Sequence, residues 1–554
     1  MAWTRIVSSL SLCAVLLPVA SLAAATALPN IIDLGYAKYL GNLTFPNTVA
    51  YLGLPYAEPP VGERRFRAPL PLDTARITRE TKGKVVNATV YPEFCVQGTI
   101  GAGDAGGAGS EDCLKINVYA PAGARAGDKR GPFTVTKLLP VLVYIHGGGF
   151  TNGNPANWPF DHWIHQSPNV VIASVYYRLD SFGFMAVPEF SNCAFGDLNA
   201  GFQDQIQALK WVQQHIHAFS GDPSRVTING QSAGATSVEL HMVAHEGEKL
   251  FSQAIPQSTG RNPVPTPEQQ RPLFDFYAAQ AGCGPSSKSV ASRLACLRKA
   301  SVSALARAQD AGLYNFTGAY NVFHPVIDGK LLTEYPTLSI LKGNFADVAV
   351  LAGSTSNETI SSGTNITAAL KGAFPGLTSK DLEEFLENYP LSEFDSEEQR
   401  FRVATGESEL ICARNIIGLA AARKNKVYTY RYNQPVPTAN TTLVNHAAEN
   451  WMMFRGTSTG FNGSTTFQPQ RPIDQAFASE LIAYWLSFVR SGNPNTYKLP
   501  RSPEWPLYSP GRKERIVLQE GASTDVSGST IEEEPGQETR RCAFVASKAR
   551  DQQA

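Results

Sequence analysis

The chain has 554 residues, 43% of them hydrophobic and 17% charged, with 48 Lys+Arg against 48 Asp+Glu. Such a length and composition support a large folded core and exclude a disordered chain. A formal charge of zero offers a polyanion nothing to hold, so nucleic acid is not an expected partner.

Residues 1–25 read as a signal peptide: Arg5 at the start, an apolar stretch over 6–20, then the small residues Ala23, Ala24 and Ala25 as a cleavage site. The apolar run is too short for a membrane anchor and is broken by Ser8, Ser9, Ser11 and Pro18. No later segment is long and apolar enough to span a bilayer. The expectation is a secreted, soluble protein with no integral membrane segment, whose residues 26–554 form one domain. Sequons at Asn42, Asn87, Asn315, Asn357, Asn365, Asn440 and Asn462 fit export. Cys13 leaves with the signal, and the odd number of cysteines that remains predicts one free thiol in an oxidising compartment.

A Pro- and Gly-rich stretch over 52–62, followed by Arg65-Phe66, suits an irregular connection between early strands. The segment 96–112 between Cys95 and Cys113 is Gly- and Ala-rich and reads as a flexible disulfide loop. Closing a loop of this size stabilises by about 3 kcal/mol in the chain-entropy model. The apolar run 138–145 reads as a strand that ends in His146-Gly147-Gly148-Gly149-Phe150. Three glycines after a strand leave a backbone free to aim N–H groups at a developing negative charge. Residues 170–175 form the next buried strand. Over 199–216, Phe202, Ile206, Leu209, Val212 and Ile216 recur at helical spacing.

The β-branched run 226–228 leads into Gly230-Gln231-Ser232-Ala233-Gly234. This is the G-x-S-x-G of a nucleophile elbow, where the chain turns sharply from strand to helix and a Cβ on either flank would crowd the turn. Residues 251–255 form a short strand. The stretch 261–345 is mostly helical, and Cys283 and Cys296 close a short loop within it. Residues 348–352 and 427–432 read as strands, 473–489 as an apolar helix ending before Gly492, and the acidic segment 529–540 as a surface loop or tail. Strands alternating with helices define the α/β class, with a large, mostly parallel central sheet covered by helices on both faces.

A serine nucleophile needs a histidine base and a carboxylate to orient it. Four histidines follow Ser232. His241 and His245 lie about 13 Å and 20 Å along the helix that Ser232 starts, at 1.5 Å per residue, and read as packing or surface residues. His324 precedes Pro325 and comes before the better acid candidate. His446, in a loop beyond the 427–432 strand, remains. For the acid, Glu358 follows the 348–352 strand directly, and Asp328, in the turn Ile327-Asp328-Gly329, competes with it.

These motifs together resemble the type-B carboxylesterase/lipase family, the α/β-hydrolases that include cholinesterases and fungal lipases. The likeness runs over nearly the whole mature chain, through 52–66, Ser110 to Leu114, His146 to Phe150, Tyr177-Arg178-Leu179, Phe182-Gly183-Phe184, 199–212, Gly221-Asp222-Pro223, the elbow and Gln257-Ser258. The resemblance implies an α/β-hydrolase fold with Ser232, Glu358 and His446 as triad and the N–H groups of Gly148, Gly149 and Ala233 as oxyanion hole. It also implies disulfides Cys95–Cys113, Cys283–Cys296 and Cys412–Cys542, and a salt bridge Arg65–Glu111. Cys193 is left as the odd thiol, expected to be a small buried hydrophobe.

Three departures from the family stand out. Gln231 occupies the position before the nucleophile where most members carry Glu, so a cationic substrate gains less. Ala447 follows the histidine where Gly is usual. The first disulfide loop lacks both the apolar lid helix of the fungal lipases and the choline-site tryptophan of the cholinesterases, so a lid-gated enzyme is not expected. The implied activity is hydrolysis of carboxylic esters, small or lipid, without metal or organic cofactor. The alternatives are a lipase or sterol esterase, or a feruloyl esterase whose pocket Phe150 and Trp451 line. An adhesion protein on the same fold, like the neuroligins, lacks the serine present here. If Glu358 is buried under His446, the sequon at Asn357 cannot carry a glycan.

Overall fold

The computed structural model describes residues 30–98, 109–123, 137–245, 247–359, 361–459 and 465–554. The signal segment 1–25, the sequon at Asn462 and most of the first disulfide loop, where a lid would lie, fall outside the described residues.

In chain order the strands are β1 (Ile31–Asp33), β2 (Lys38–Phe45), β3 (Thr48–Pro55), β4 (Val85–Ala88), β5 (Lys115–Pro121), β6 (Leu139–Ile145), β7 (Val171–Val175), β8 (Gly221–Gln231), β9 (Gln253–Gln257), β10 (Ala349–Thr355), β11 (Val427–Tyr432), β12 (Thr457–Thr459), β13 (Thr465–Phe467), β14 (Glu514–Leu518) and β15 (Thr530–Glu533). One 13-stranded sheet has the order β1-β2-β3-β5-β7-β6-β8-β9-β10-β11-β14-β15, with β4 beside β2, while β12 and β13 form a separate hairpin. From β7 to β14 every neighbour is parallel. The sheet is mixed rather than uniformly parallel. The two residues between β2 and β3 allow only an antiparallel hairpin, because a parallel pair needs a crossover of a dozen residues or more.

Both faces of the centre are buried. Along β6, Val141, Val143 and Ile145 enter one core while Leu142 and Tyr144 enter the other, the alternation that a strand's period of two imposes. The first core holds Phe202, Leu209 and Val212 of the helix Ala200–His215, and Val238 and Leu240 of the helix Ala233–Val243. The second holds Leu481, Trp485 and Phe488 of the helix Pro472–Ser491. Among the described residues no helix is long and apolar enough to cross a membrane.

Three sequence expectations are corrected here. The segment 529–540 is no loop or tail. Thr530–Glu533 pairs antiparallel with β14, and Gly536–Ser547 is a helix. Its acids meet arginines of other elements: Glu532 binds Arg431 and Arg515, and Glu534 and Glu538 bind Arg414. A run of acids looks like a solvated face when its partners lie outside the run, here from 17 to 124 positions earlier. Cys193 is the free cysteine, but it is exposed, because it lies in a surface turn whose carbonyls Arg67 binds. The strand expected at 251–255 begins and ends two residues later.

All three implied disulfides form: Cys95–Cys113, Cys283–Cys296 and Cys412–Cys542. The third ties the helix Cys412–Ala421 to the helix Gly536–Ser547. Arg65 binds Glu111 through two parallel contacts of 2.6 Å and also donates to the carbonyls of Leu297 and Ala300. A bidentate, largely buried fork of this kind fixes geometry that an exposed ion pair cannot. Asn42, Asn87, Asn315, Asn365 and Asn440 are exposed.

Candidate active site

Parallel strands that run side by side end on the same edge of the sheet. Ser232 follows β8, His146 follows β6, Ser258 follows β9, Glu358 lies three residues past β10, and His446 lies in the loop after β11. The strand order β6-β8-β9-β10-β11 therefore gathers residues scattered over three hundred positions.

Ser232 has φ 58° and ψ −126°, between the last residue of β8 and the first of the helix Ala233–Val243. A non-glycine residue held there stores about 1–3 kcal/mol of strain. The flanking glycines show what holds it. A Cβ on Gly230 would lie 2.3 Å from backbone atoms of Gly234, and one on Gly234 would lie 2.0 Å from the Ile145 carbonyl oxygen. The helix start is thus pressed against both its own strand and the end of β6.

His446 Nε2 lies 2.8 Å from Ser232 Oγ, and His446 Nδ1 lies 2.6 Å from Glu358 Oε2. Glu358 is fully buried. Its other oxygen accepts the Ser258 hydroxyl at 2.5 Å and the Thr355 N–H at 2.6 Å. Burial works to raise the Glu358 carboxyl, but the His446 imidazole and these hydrogen bonds outweigh it and hold it below its ordinary value. Burial likewise works against the His446 cation, yet Glu358, Glu449 and Glu409 together raise the imidazole above its ordinary value. Such a line can pass a proton from a hydroxyl to an imidazole and stabilise the cation that forms.

The acid and base loops are tied together. Asn357 N–H donates to the Val444 carbonyl at 3.0 Å, and Val444 N–H donates to Asn357 Oδ1 at 2.9 Å. The sequon side chain next to Glu358 thus helps to position the loop that carries His446. Ala447 has φ 65°, which explains why glycine is usual there. Relief of the left-handed penalty, about 1–2 kcal/mol, exceeds the added chain entropy of glycine, about 0.5–1 kcal/mol. Ala447→Gly is therefore expected to raise the thermal unfolding midpoint slightly, and a fall in the midpoint would contradict this.

The glycine loop lies against the elbow. A Cβ on Gly147 would lie 2.5 Å from the Gln231 carbonyl oxygen, and Gly148, at φ 112°, has no room for one beside Asn152. Among the described residues the N–H groups of Gly148 and Gly149 donate to no backbone carbonyl, and Ala233 N–H belongs to the first turn of a helix. Unpaired N–H groups at a helix start are a ready site for negative charge.

The other candidates lie elsewhere or act differently. Asp328 accepts from Asn199 and from the N–H groups of Lys330 and Leu332, a turn role. His241 is buried against Phe202 and reaches Gln205, and His245 lies past the helix end. Phe150 does not line the cavity beside Ser232; its ring packs on Phe184 and His324. Trp451 does line it. Sequence reasoning gave no role to Ser258, to His324, which reaches the Gly149 carbonyl at 3.0 Å, or to Glu449. Ser258 and His324 act through partners distant in sequence, Glu358 and Gly149, and Glu449 acts on His446 only because folding buries both.

Glu449 is fully buried, and burial and the neighbouring Glu358 raise it to about 7. Its charge favours the His446 cation. Removing that charge lowers the imidazole pKa. In Glu449→Gln the acid limb of kcat/KM against pH is therefore expected to move to lower pH. The plateau should fall as well, because the cation formed in the reaction loses a supporting charge. An acid limb that stays put or moves to higher pH would refute this.

Comparisons with known proteins agree with this architecture. A solved Aspergillus niger protein, EstA, superposes with a TM-score of 0.80 at 30% identity, over 95% of this chain and 99% of that one. The sheet, its helices and this likeness define an α/β-hydrolase. The carboxylesterase family profile matches residues 34–539, and the chain belongs to that family, as a carboxylic ester hydrolase. A Bacillus subtilis para-nitrobenzyl esterase is 30% identical over 93% of this chain and 98% of its own. Secreted lipase 4 of Gibberella zeae is 30% identical over 88% and 87%. The acetylcholinesterase of Bungarus fasciatus is 29% identical over 85% and 79%.

Proposed function

We propose that the protein is a secreted serine esterase that works through an acyl-enzyme, with residues 26–554 acting as one domain. His446 Nε2 takes the proton of Ser232 Oγ as the oxygen attacks the ester carbonyl. The resulting oxyanion is held by the N–H groups of Gly148, Gly149 and Ala233, and losing one such donor costs on the order of 3 kcal/mol in the barrier. Glu358 keeps the proton of the neutral imidazole on Nδ1, which leaves Nε2 free to act as base, and stabilises the cation. His446 then protonates the leaving alcohol. Water, deprotonated by His446, attacks the acyl-serine, and collapse releases the acid and restores Ser232.

The observation that carries this reading is the hydrogen-bond line Ser232–His446–Glu358 at 2.8 Å and 2.6 Å. Secretion is supported by three disulfides, which persist in oxidising compartments, and by the likeness to a secreted fungal lipase. A fluorophosphonate tests the mechanism. The serine oxygen should displace fluoride, abolish activity at one equivalent, and leave the phosphonyl mass on the peptide containing Ser232. Full inactivation with the label on another residue would defeat the assignment.

A further inference from the structure

The cavity beside Ser232 has a volume of about 700 Å³, and its wall has an unusual composition. Ligand pockets are mostly lined by apolar side chains with a few polar ones. Here the described lining carries the amides of Asn152, Asn157, Gln231, Asn445, Asn450 and Gln468. Hydroxyls such as Thr438, Thr457 and Ser458 stand between them. Among the described lining residues there is no Asp, Glu, Lys or Arg, and Val436 is the one large aliphatic. Trp158 and Trp451 add two indole rings. The Trp158 N–H and the Asn450 side-chain oxygen have no protein partner, and both residues are at most 6% exposed.

Each amide offers donors and an acceptor, and each hydroxyl does both. Part of this capacity is met within the wall, where Gln468 Oε1 accepts from Thr438 and Trp451, Asn450 Nδ2 donates to Gln231 Oε1, and Thr457 donates to the Asn157 carbonyl. A ligand that satisfies the groups left over must both donate and accept while carrying no charge. An ammonium group donates only, and it would leave water with no carboxylate on the wall to meet it. A sterol or a long alkyl group would strip water from the amides and return no hydrogen bonds, at about 1–3 kcal/mol for each group left unpaired. A hydroxyl-rich ring meets both demands, since its edges bond the amides and its C–H face rests on an indole.

The side of the ester follows from the proton's route. The leaving oxygen must come within hydrogen-bond reach of His446 Nε2, and His446, Gln231 and Ala447 line this same cavity. We propose that the alcohol half of the substrate is a neutral, polyhydroxylated group, a sugar ring or an open polyol, bound among these amides and indoles. This rests on the serine-esterase reading of Ser232.

The test keeps the acyl group constant and varies the alcohol. The full chain is assayed on methyl 6-O-acetyl-glucopyranoside, a monoacetylated linear polyol, hexyl acetate and acetylcholine, with p-nitrophenyl acetate as reference. The glycoside or the polyol ester should exceed both hexyl acetate and acetylcholine in kcat/KM by about tenfold or more, as expected of a site built to bond hydroxyls. Whichever of the two is preferred tells ring from open chain. Equal or better turnover of hexyl acetate or acetylcholine overturns the proposal and leaves the esterase reading intact. No turnover of p-nitrophenyl acetate, or undiminished turnover by Ser232→Ala, overturns both. In Thr438→Leu and Ser458→Leu, both exposed wall positions, the ratio of hydroxylated to hexyl ester should fall several-fold. An unchanged ratio in both variants counts against the proposal even where the parent protein shows the preference.

Discussion

Ser232→Ala is expected to lower kcat on p-nitrophenyl acetate by about 10⁶-fold, about 8 kcal/mol at 1.36 kcal/mol per decade. The loss follows from the geometry, because among the described residues Ser232 Oγ is the hydroxyl that hydrogen-bonds His446 Nε2, at 2.8 Å. Alanine fits the same backbone, so the unfolding midpoint should hardly change. Glu358→Gln is expected to cost about 10⁴-fold, and the structure supplies the reason. Glu358 Oε1 accepts from both Ser258 and Thr355. An amide placed there must keep its oxygen on those two donors. Its NH₂ group then faces His446 Nδ1 and drives the proton to Nε2, the nitrogen that has to act as base. Both variants are read from kcat with the thermal midpoint as control. A Ser232→Ala protein that keeps more than a few per cent of its activity would remove the proposed nucleophile.

Glu538→Ala is expected to destabilise the fold by about 1–3 kcal/mol, the cost of leaving buried donors unsatisfied, because Arg414 keeps Glu534 and Arg515 keeps Glu532. Glu538 binds Arg414 and accepts from Arg515 Nη1 and Nη2 at 2.8 Å and 3.0 Å, and both arginines are almost wholly buried. Burial pushes the Glu538 carboxyl up, but the two guanidinium groups prevail and hold it down at about 2, against an ordinary value of 4.5. The folded pKa lies below the unfolded one, so the ion pairs stabilise fully above the unfolded value. That contribution is lost as pH falls from about 4.5 toward about 2. Urea unfolding midpoints measured from pH 7 down to pH 3 check both statements. The parent protein should lose stability along the acid limb, and the variant should start lower and lose less. A variant as stable as the parent at pH 7 would show the network to be dispensable.

The same two sites mark where sequence reading stops. The elbow is legible because its constraint is local: Gly230 and Gly234 stand two residues from Ser232, and their missing Cβ atoms are needed by the turn itself. The strands at β6, β7, β10 and β11 are legible because a strand buried on both faces is a short apolar run between turn signals. His446 follows by elimination among four histidines, and Glu358 is favoured over Asp328 by its place directly after a strand, with the family likeness in support. The acidic stretch around Glu532, Glu534 and Glu538 reads as solvated because its partners Arg414, Arg431 and Arg515 lie outside the stretch and only folding brings them to it. The sheet is mostly parallel, as the alternation of strands and helices implies, and Pro46-Asn47 turns the antiparallel hairpin between β2 and β3.

Read alone, the chain carries a serine between two glycines, a glycine loop after a strand, and an uncharged glutamine beside the nucleophile. These depend on residues within a few positions of one another, where backbone sterics decide. Tertiary packing selects which imidazole meets the serine, which carboxylate is buried beneath it, and which acids neutralise Arg414 and Arg515. It alone also brought the amides of the cavity wall together. Those choices are set by the order of parallel strands and by burial, and both come from packing the whole chain.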